Sequence, residues 1–430
     1  MNIFRLAELT EQKKKQIMAR AETDISEQMT LAKAVSDDIA LRGDAAVIEY
    51  TAKFDRVSLT ADTMRVTPAE IERGYARCEQ KVRDAIRYAA GNIRDFHEKQ
   101  LPEEMWFTTV DEGLMVGEKT TPIVDVCLYV PRGKGSFPSV LLMLGIPAKT
   151  AKVPKIVVVT PPNEKGEIDD AISAAAKIIG IDEIYKVGGI QAVAAVAYGT
   201  QSIPKCHKII GPGNSYATAA KRVLANHIDA GLPAGPSEAI ILADEHADPH
   251  KVALDWMIEA EHGPDSAALL VTHSAELVQR VLPIVEGQLA KISEKRREFI
   301  KTNFSAYGGV IITDSLEQSI DFVNEYAPEH MEVMCKNPFD ILPGIKNAGE
   351  ILLGEYTPIT LCNFLLGPNA ILPTGGFAKT YSSVSVFDFL KRSSIGYASK
   401  QGFERVREAA DILATAEGFD THALAVRERK

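Results

Sequence analysis

The chain predicts an α/β fold with parallel sheets, and three observations predict it. Strand-like and helix-like segments alternate in two successive series. Several strand-like segments, such as 156–160 (I-V-V-V-T), are continuous apolar runs, as expected of strands covered on both faces. A Pro/Gly joint at 233–238 (P-A-G-P-S-E) separates the two series. Strands that alternate with helices imply a parallel sheet flanked by helices on both sides.

In order, residues 1 to about 100 read as mostly helical, because 5–53 and 68–99 are rich in helix formers and charge. Arg42-Gly43-Asp44 interrupts the first run, and an N-terminal helical arm is expected over 1–30. A short strand-like stretch covers 113–119. The strand 124–130 (V-D-V-C-L-Y-V) leads into a Gly/Pro loop at 131–138, and 140–151 reads as a helix despite Gly145 and Pro147. After 156–160 come a helix at 168–179, a strand at 183–187, and an Ala-rich helix from Gly188-Gly189 to Tyr198. A short strand at 208–210 then runs through Gly211-Pro212-Gly213 into a helix opening at Asn214.

The second series runs through strands at 239–243, 267–272, 309–313, 331–335 and 351–353. Helices between them are expected near 248–262, as one long charged element at 275–300, and at 316–326. A Gly/Pro-rich loop fills 354–376, and the tail from Val386 reads as amphipathic helix. The expected organisation is an arm (1–30), a first unit (31–237), a second unit (238–377) and a helical tail (378–430).

At 430 residues, with 46% hydrophobic and 25% charged residues, the chain can bury a large core in two domains or one large one. A net charge of −10 and a pI near 5.5 argue against a general nucleic-acid or membrane-surface binder. Five cysteines, an odd number without a C-x-x-C, suit free thiols in a reducing compartment. The first ten residues contain no apolar stretch of signal-peptide type, and no apolar run approaches 18 residues. A soluble cytoplasmic protein is therefore expected.

Three stretches carry candidate chemistry. In 248–265 (D-P-H-K-V-A-L-D-W-M-I-E-A-E-H-G-P-D), Asp248 is a helix cap, Pro249 fits the first turn, and Gly263-Pro264 stop the helix. Glu259 and His262, three apart, project from one face near the negative end of the helix dipole. A carboxylate and an imidazole suit zinc; a solvated helix end is the plainer alternative. Gly211-Pro212-Gly213-Asn214 places backbone N–H groups at a helix start, where an anion or nucleotide can bind, or is simply a capped turn. It is not a dinucleotide fingerprint, since Tyr216 stands where the third Gly belongs. Tyr326-Ala327-Pro328-Glu329-His330 sets a carboxylate beside an imidazole, the usual acid–base pair if a turn aims both into one cleft.

Together these stretches resemble the histidinol dehydrogenase family over nearly the whole chain. The resemblance includes C-L-Y-V-P (127–131), S-V-L-L-M-L-G-I-P-A (139–148), V-G-G-I-Q-A-V-A-A-V-A-Y-G-T (187–200), G-P-G-N-S-Y (211–216), P-A-G-P-S-E (233–238), A-E-H-G-P-D-S (260–266), Y-A-P-E-H (326–330), L-P-T-G-G (372–376) and D-F-L-K-R (388–392). It implies two Rossmann-like domains in an intertwined homodimer with a shared active site. It also implies oxidation of an alcohol through an aldehyde to a carboxylate with two NAD. By position, His330 would be the base and Glu329 the water-activating group. Tyr129, Gln191 and Asn214 would contact NAD. Ser139 and Ser237 would line the substrate pocket, with Glu417 reaching in from the other subunit. Zinc would take Glu259, His262 and Asn363, with His422 from the other subunit.

The chain departs from the family pattern at the metal and the substrate. Glu259 stands where the family has glutamine, and Asn363 where it has aspartate, so the ligand set keeps one carboxylate, one amide and two imidazoles. Pro358-Ile359-Thr360 replaces P-E-S, Phe364 replaces a tyrosine, and Ala370 replaces a histidine that would hold polar groups of histidinol. This pattern points to retained chemistry on another small polar alcohol. Relatives of that kind oxidise 2,3-dihydroxypropane-1-sulfonate, whose anion Arg132, Lys134, Lys391 or Arg392 could meet. Histidinol itself remains the rival substrate, and a non-catalytic paralogue the rival of another class.

Overall fold

The computed structural model describes residues 1–20, 25–132 and 135–429. Two parallel sheets organise the chain. The first has four strands in the order Ile184–Tyr185, Lys155–Val159, Asp125–Tyr129, Ile209–Ile210. The second has six, in the order Ile3–Arg5, Gly309–Ile312, Ala267–Thr272, Glu238–Ala243, His330–Met334, Glu350–Leu353. In each series the fourth strand crosses back to pair with the first. That is the Rossmann-like order, and it leaves a switch point between those two strands.

Both sheets are buried on both faces, which explains the continuous apolar runs. Val126, Leu128 and Val130 pack into one cluster, and Cys127 and Tyr129 into another on the opposite face. Ala239 and Ile241 alternate with Ile240 and Leu242 in the same way. All five cysteines are free and buried. Among the described residues, no helix is long and apolar enough to cross a membrane.

The expected α/β plan holds, with four local corrections. The N-terminal segment begins with a strand, Ile3–Arg5, that extends the second sheet beside Gly309–Ile312 before the helix Glu11–Ala19. The tail from Val386 is not helical throughout. Leu390–Ala398 is a strand that pairs antiparallel with Leu114–Pro122, which pairs with Met105–Asp111. Its sequence, L-K-R-S-S-I-G-Y-A, has neither an apolar run nor clean alternation, so its pairing with a distant segment decides its state. The long helix expected at 275–300 is two, Ala275–Leu289 and Glu294–Ser305, because Ser293 caps the second by accepting from the Arg296 N–H. The loop expected at 354–376 contains a short helix, Ile359–Phe364.

Candidate active site

The residues expected to form the acid–base pair, Glu329 and His330, lie at the amino end of the second sheet, where its first and fourth strands meet. The helix Leu316–Tyr326 ends at Ala327, a non-glycine residue with φ of 53°. Such sparsely populated backbone gathers at functional sites. The chain then passes Pro328 and enters the strand at His330. This turn is what allows Glu329 and His330, neighbours in sequence, to share one cluster: Glu329 Oε1 lies 3.8 Å from His330 Nε2. The strand Glu238–Ala243 runs alongside, and its first N–H donates to Glu329 Oε2 at 2.8 Å.

The helix Pro249–Ala260 supplies the next group. Asp248 caps it by accepting from the His250 N–H at 2.8 Å, as its sequence foretold. At its far end Glu259, only 1% exposed, brings Oε1 to 4.0 Å from His330 Nε2, and its Oε2 lies 3.1 Å from His262 Nδ1. Asn363, from the short helix Ile359–Phe364, donates through Nδ2 to Glu259 Oε1 at 3.4 Å. Three of the four expected metal-site residues therefore meet in one subunit, next to the Glu329–His330 pair.

Three residues that the sequence did not mark complete the cluster. Glu350 bonds His330 Nδ1. Glu238 accepts from the Gly375 N–H at 2.7 Å and pairs with Arg20 Nε at 3.0 Å. Arg20 in turn stacks on the Tyr326 ring, 3.7 Å from its centroid. Glu238 lay inside a quoted motif without a role. Glu350 opens an apolar strand (E-I-L-L), and a carboxylate in that position is a signal of a buried acid. Arg20 left no local mark.

Carboxylates outnumber cations here. Glu238, Glu259, Glu329 and Glu350 are all buried, against Arg20, His330 and the half-exposed His262. Burial alone would lower the His330 imidazole, but the carboxylates of Glu259, Glu329 and Glu350 outweigh it and hold it raised, to about 10. Burial, reinforced by Glu259, pushes Glu329 up to about 8. Burial raises Glu238 to about 7 against the pull of Arg20.

The residues expected to contact NAD gather at the carboxyl ends of the first sheet, the usual ligand end of such a sheet. Tyr129 ends its strand buried, its hydroxyl accepting from the Gly189 N–H at 2.9 Å. Gln191 is buried and donates to Asp55 Oδ2 at 2.8 Å. The Asn214 side chain caps the helix Ser215–Val223, accepting from the N–H groups of Tyr216 and Ala217 at 3.1 Å each. Gly211, at φ 132°, lies so close to this strand that a Cβ there would fall 2.2 Å from the Tyr129 carbonyl oxygen.

Other expected residues stand apart from the cluster. Ser139 opens the helix Pro138–Thr150, and Ser237 precedes the strand at Glu238; among the described contacts, neither side chain bonds the cluster. Glu417 and His422 lie exposed on the C-terminal helices, with His422 5.0 Å from Phe419 between ring centroids. The proposed anion contacts are engaged elsewhere: Arg132 pairs with Asp169 at 3.3 Å and Arg392 with Glu118 at 3.5 Å. Lys391 is exposed on its strand, and Lys134 lies outside the described residues.

Two Rossmann-like sheets, with a buried carboxylate–imidazole pair at the amino end of the second, suit an α/β enzyme of the dehydrogenase type. The histidinol dehydrogenase family model matches residues 18–430. A histidinol dehydrogenase of Synechocystis sp. is 48% identical over all of this chain and 99% of its own length. A histidinol dehydrogenase homolog of Colwellia psychrerythraea is 45% identical over 99% and 96%. The crystal structure of histidinol dehydrogenase from Elizabethkingia anophelis superposes with a TM-score of 0.93 at 36% identity, covering 97% of this chain and 96% of that one. The chain belongs to the histidinol dehydrogenase family, NAD-dependent oxidoreductases that act on CH–OH groups.

Proposed function

We propose that the protein is a zinc-dependent, NAD-linked dehydrogenase that takes a small primary alcohol through an aldehyde to a carboxylate. The observation that carries this reading is the convergence of the buried Glu329, His330 and Glu259 with the partly exposed His262 and Asn363 in one cluster. The cluster fits a divalent cation. Buried carboxylates in excess are costly unless paired or bound to metal, and the buried Glu259 faces two imidazoles, His262 Nδ1 at 3.1 Å and His330 Nε2 at 4.0 Å. Carboxylate, amide oxygen and imidazole are all acceptable ligands to zinc. Glu259, His262 and Asn363 would hold the ion, with His422 of a second subunit closing the set.

When bound, zinc would supply Lewis-acid chemistry at the site held by Glu259, His262 and Asn363, and NAD would supply the hydride acceptor. His330 takes the alcohol proton at Nε2 in its neutral form, whose share grows as pH climbs towards about 10. Glu329, whose Oε2 is held by the Glu238 N–H, takes in its ionised form the proton of the water that adds to the aldehyde, and that form gains population as pH climbs towards about 8. The close backbone turn at Gly211 and the helix starts at Gly189 and Ser215 suit a dinucleotide at the carboxyl ends of the first sheet.

A homodimer accounts for the apolar surface. Trp106 and Val110 of the antiparallel ribbon are 43% and 59% exposed, and Leu413 of the C-terminal helices is 63% exposed. Exposed apolar groups on this scale favour burial against another chain. Glu417 and His422 sit on those same helices. The free thiols suit a cytoplasmic setting.

For the substrate, charge favours a neutral or cationic alcohol, because the one arginine in the cluster is already paired with Glu238. L-histidinol is therefore the first reading, in keeping with the name of the Synechocystis relative. The second is 2,3-dihydroxypropane-1-sulfonate, which the changes at Asn363 and Ala370 favour by removing polar partners for histidinol. The test is NADH formation by zinc-loaded protein with the two alcohols side by side. Two NADH per L-histidinol at low substrate supports the first reading. Turnover of the sulfonate alone replaces it with the second, and turnover of neither refutes the function.

A further inference from the structure

We infer that Glu350 is the positioning residue for His330, holding the imidazole so that Nδ1 is occupied and Nε2 faces the reacting groups. The inference rests on the acid–base role proposed for His330. The geometry comes from the sheet itself. The strands His330–Met334 and Glu350–Leu353 are parallel neighbours, and their register sets His330 directly beside Glu350. The backbone locks this register, with the Glu350 N–H donating to the Glu329 carbonyl at 3.1 Å and the Gly349 N–H to that of Pro328 at 2.9 Å. Gly349 permits the approach, since a Cβ there would fall 2.5 Å from the Glu329 carbonyl oxygen.

The side chains follow from the register. His330 Nδ1 bonds the Glu350 carboxylate, an acceptor that requires a proton on Nδ1. Nε2 then points to the opposite side of the ring, toward Glu329 Oε1 at 3.8 Å and Glu259 Oε1 at 4.0 Å. An imidazole anchored through Nδ1 presents Nε2 in a fixed direction as the proton acceptor, the arrangement a catalytic triad gives its histidine. Both partners are buried, so water does not compete for the contact. The other neighbour of the Glu350 carboxylate is the buried Cys362 thiol, a far weaker hydrogen-bonding group than the imidazole.

The test compares the wild type with Glu350→Gln, Glu350→Asp and His330→Asn. The first readout needs no substrate. In protein labelled with ¹⁵N-histidine, the proton on His330 Nδ1, assigned by its loss in His330→Asn, should be strongly deshielded. Glu350→Gln should shift it upfield, because an amide oxygen is a weaker acceptor. The second readout is kinetic, on whichever alcohol the wild type oxidises. Glu350→Gln should lower kcat by about 10²- to 10⁴-fold with KM within about twofold, and Glu350→Asp should recover part of the loss. An unchanged Nδ1 resonance in Glu350→Gln overturns the inference, as does a kcat within threefold of wild type. If the wild type oxidises neither alcohol but the resonance shifts as expected, the positioning stands and the functional reading falls.

Discussion

Glu332 offers the sharpest stability experiment. It sits at the third position of the strand His330–Met334, fully buried, between Ile241 and Leu352 of the neighbouring strands. Asp255, from the helix Pro249–Ala260, meets it. Burial first, and the Asp255 carboxyl next, push the Glu332 carboxyl up from 4.5 to about 10. A carboxyl raised on folding stays protonated in the native state while the unfolded chain ionises. Its contribution to stability is therefore complete below about pH 4.5 and is lost as pH climbs towards about 10. Each pH unit across that window costs about 1.4 kcal/mol, so some 2.5 units of the window are crossed by pH 7, at a cost of about 3 kcal/mol. Glutamine has the same shape, cannot ionise, and can donate to Asp255. Glu332→Gln should thus be close to neutral at pH 4.5, stabilising by up to about 3 kcal/mol at pH 7, and more so at pH 9. Thermal melts of both proteins at pH 5, 7 and 9 read the difference directly, as a gain of a few degrees in Tm that widens with pH. The same gain at every pH, or a loss at pH 9, would refute the reasoning, because either would show that the group does not change its ionisation on folding.

Two further predictions concern the proposed chemistry. Glu329→Gln should spare the first oxidation and slow the second by about 10²-fold or more, since only the second needs activated water; single-turnover counts of NADH separate the two, and equal losses would remove that division of labour. His422→Ala should lower zinc per subunit by elemental analysis while the dimer survives in sedimentation; unchanged zinc would take His422 out of the site.

Much of the fold was legible because its signals are local. Apolar runs marked the strands of both sheets, and Asp248 with Pro249 marked the start of the helix that carries Glu259. The misreadings fall where a local signal was weak or absent. Ser293 split one expected helix with a single cap. Leu390–Ala398 has no strand pattern of its own and is a strand because Leu114–Pro122 lies beside it. The site was partly legible in the same sense. Glu259, His262, Glu329, His330 and Asn363 were all named from the sequence, and they meet. Arg20, Glu238 and Glu350 were not named, because what matters about them is whom they touch.

By itself, then, the sequence determined the alternation of buried strands and capped helices, the family, and the residue types of the proposed acid–base pair. These depend on periodicity and on chemistry carried by adjacent residues. The tertiary structure alone decided that an N-terminal strand completes the second sheet, that Arg20 neutralises Glu238, and that Glu350 stands beside His330. Strand register and burial set those contacts. Both arise from packing between segments far apart in the chain, where low dielectric makes each buried charge depend on its neighbour.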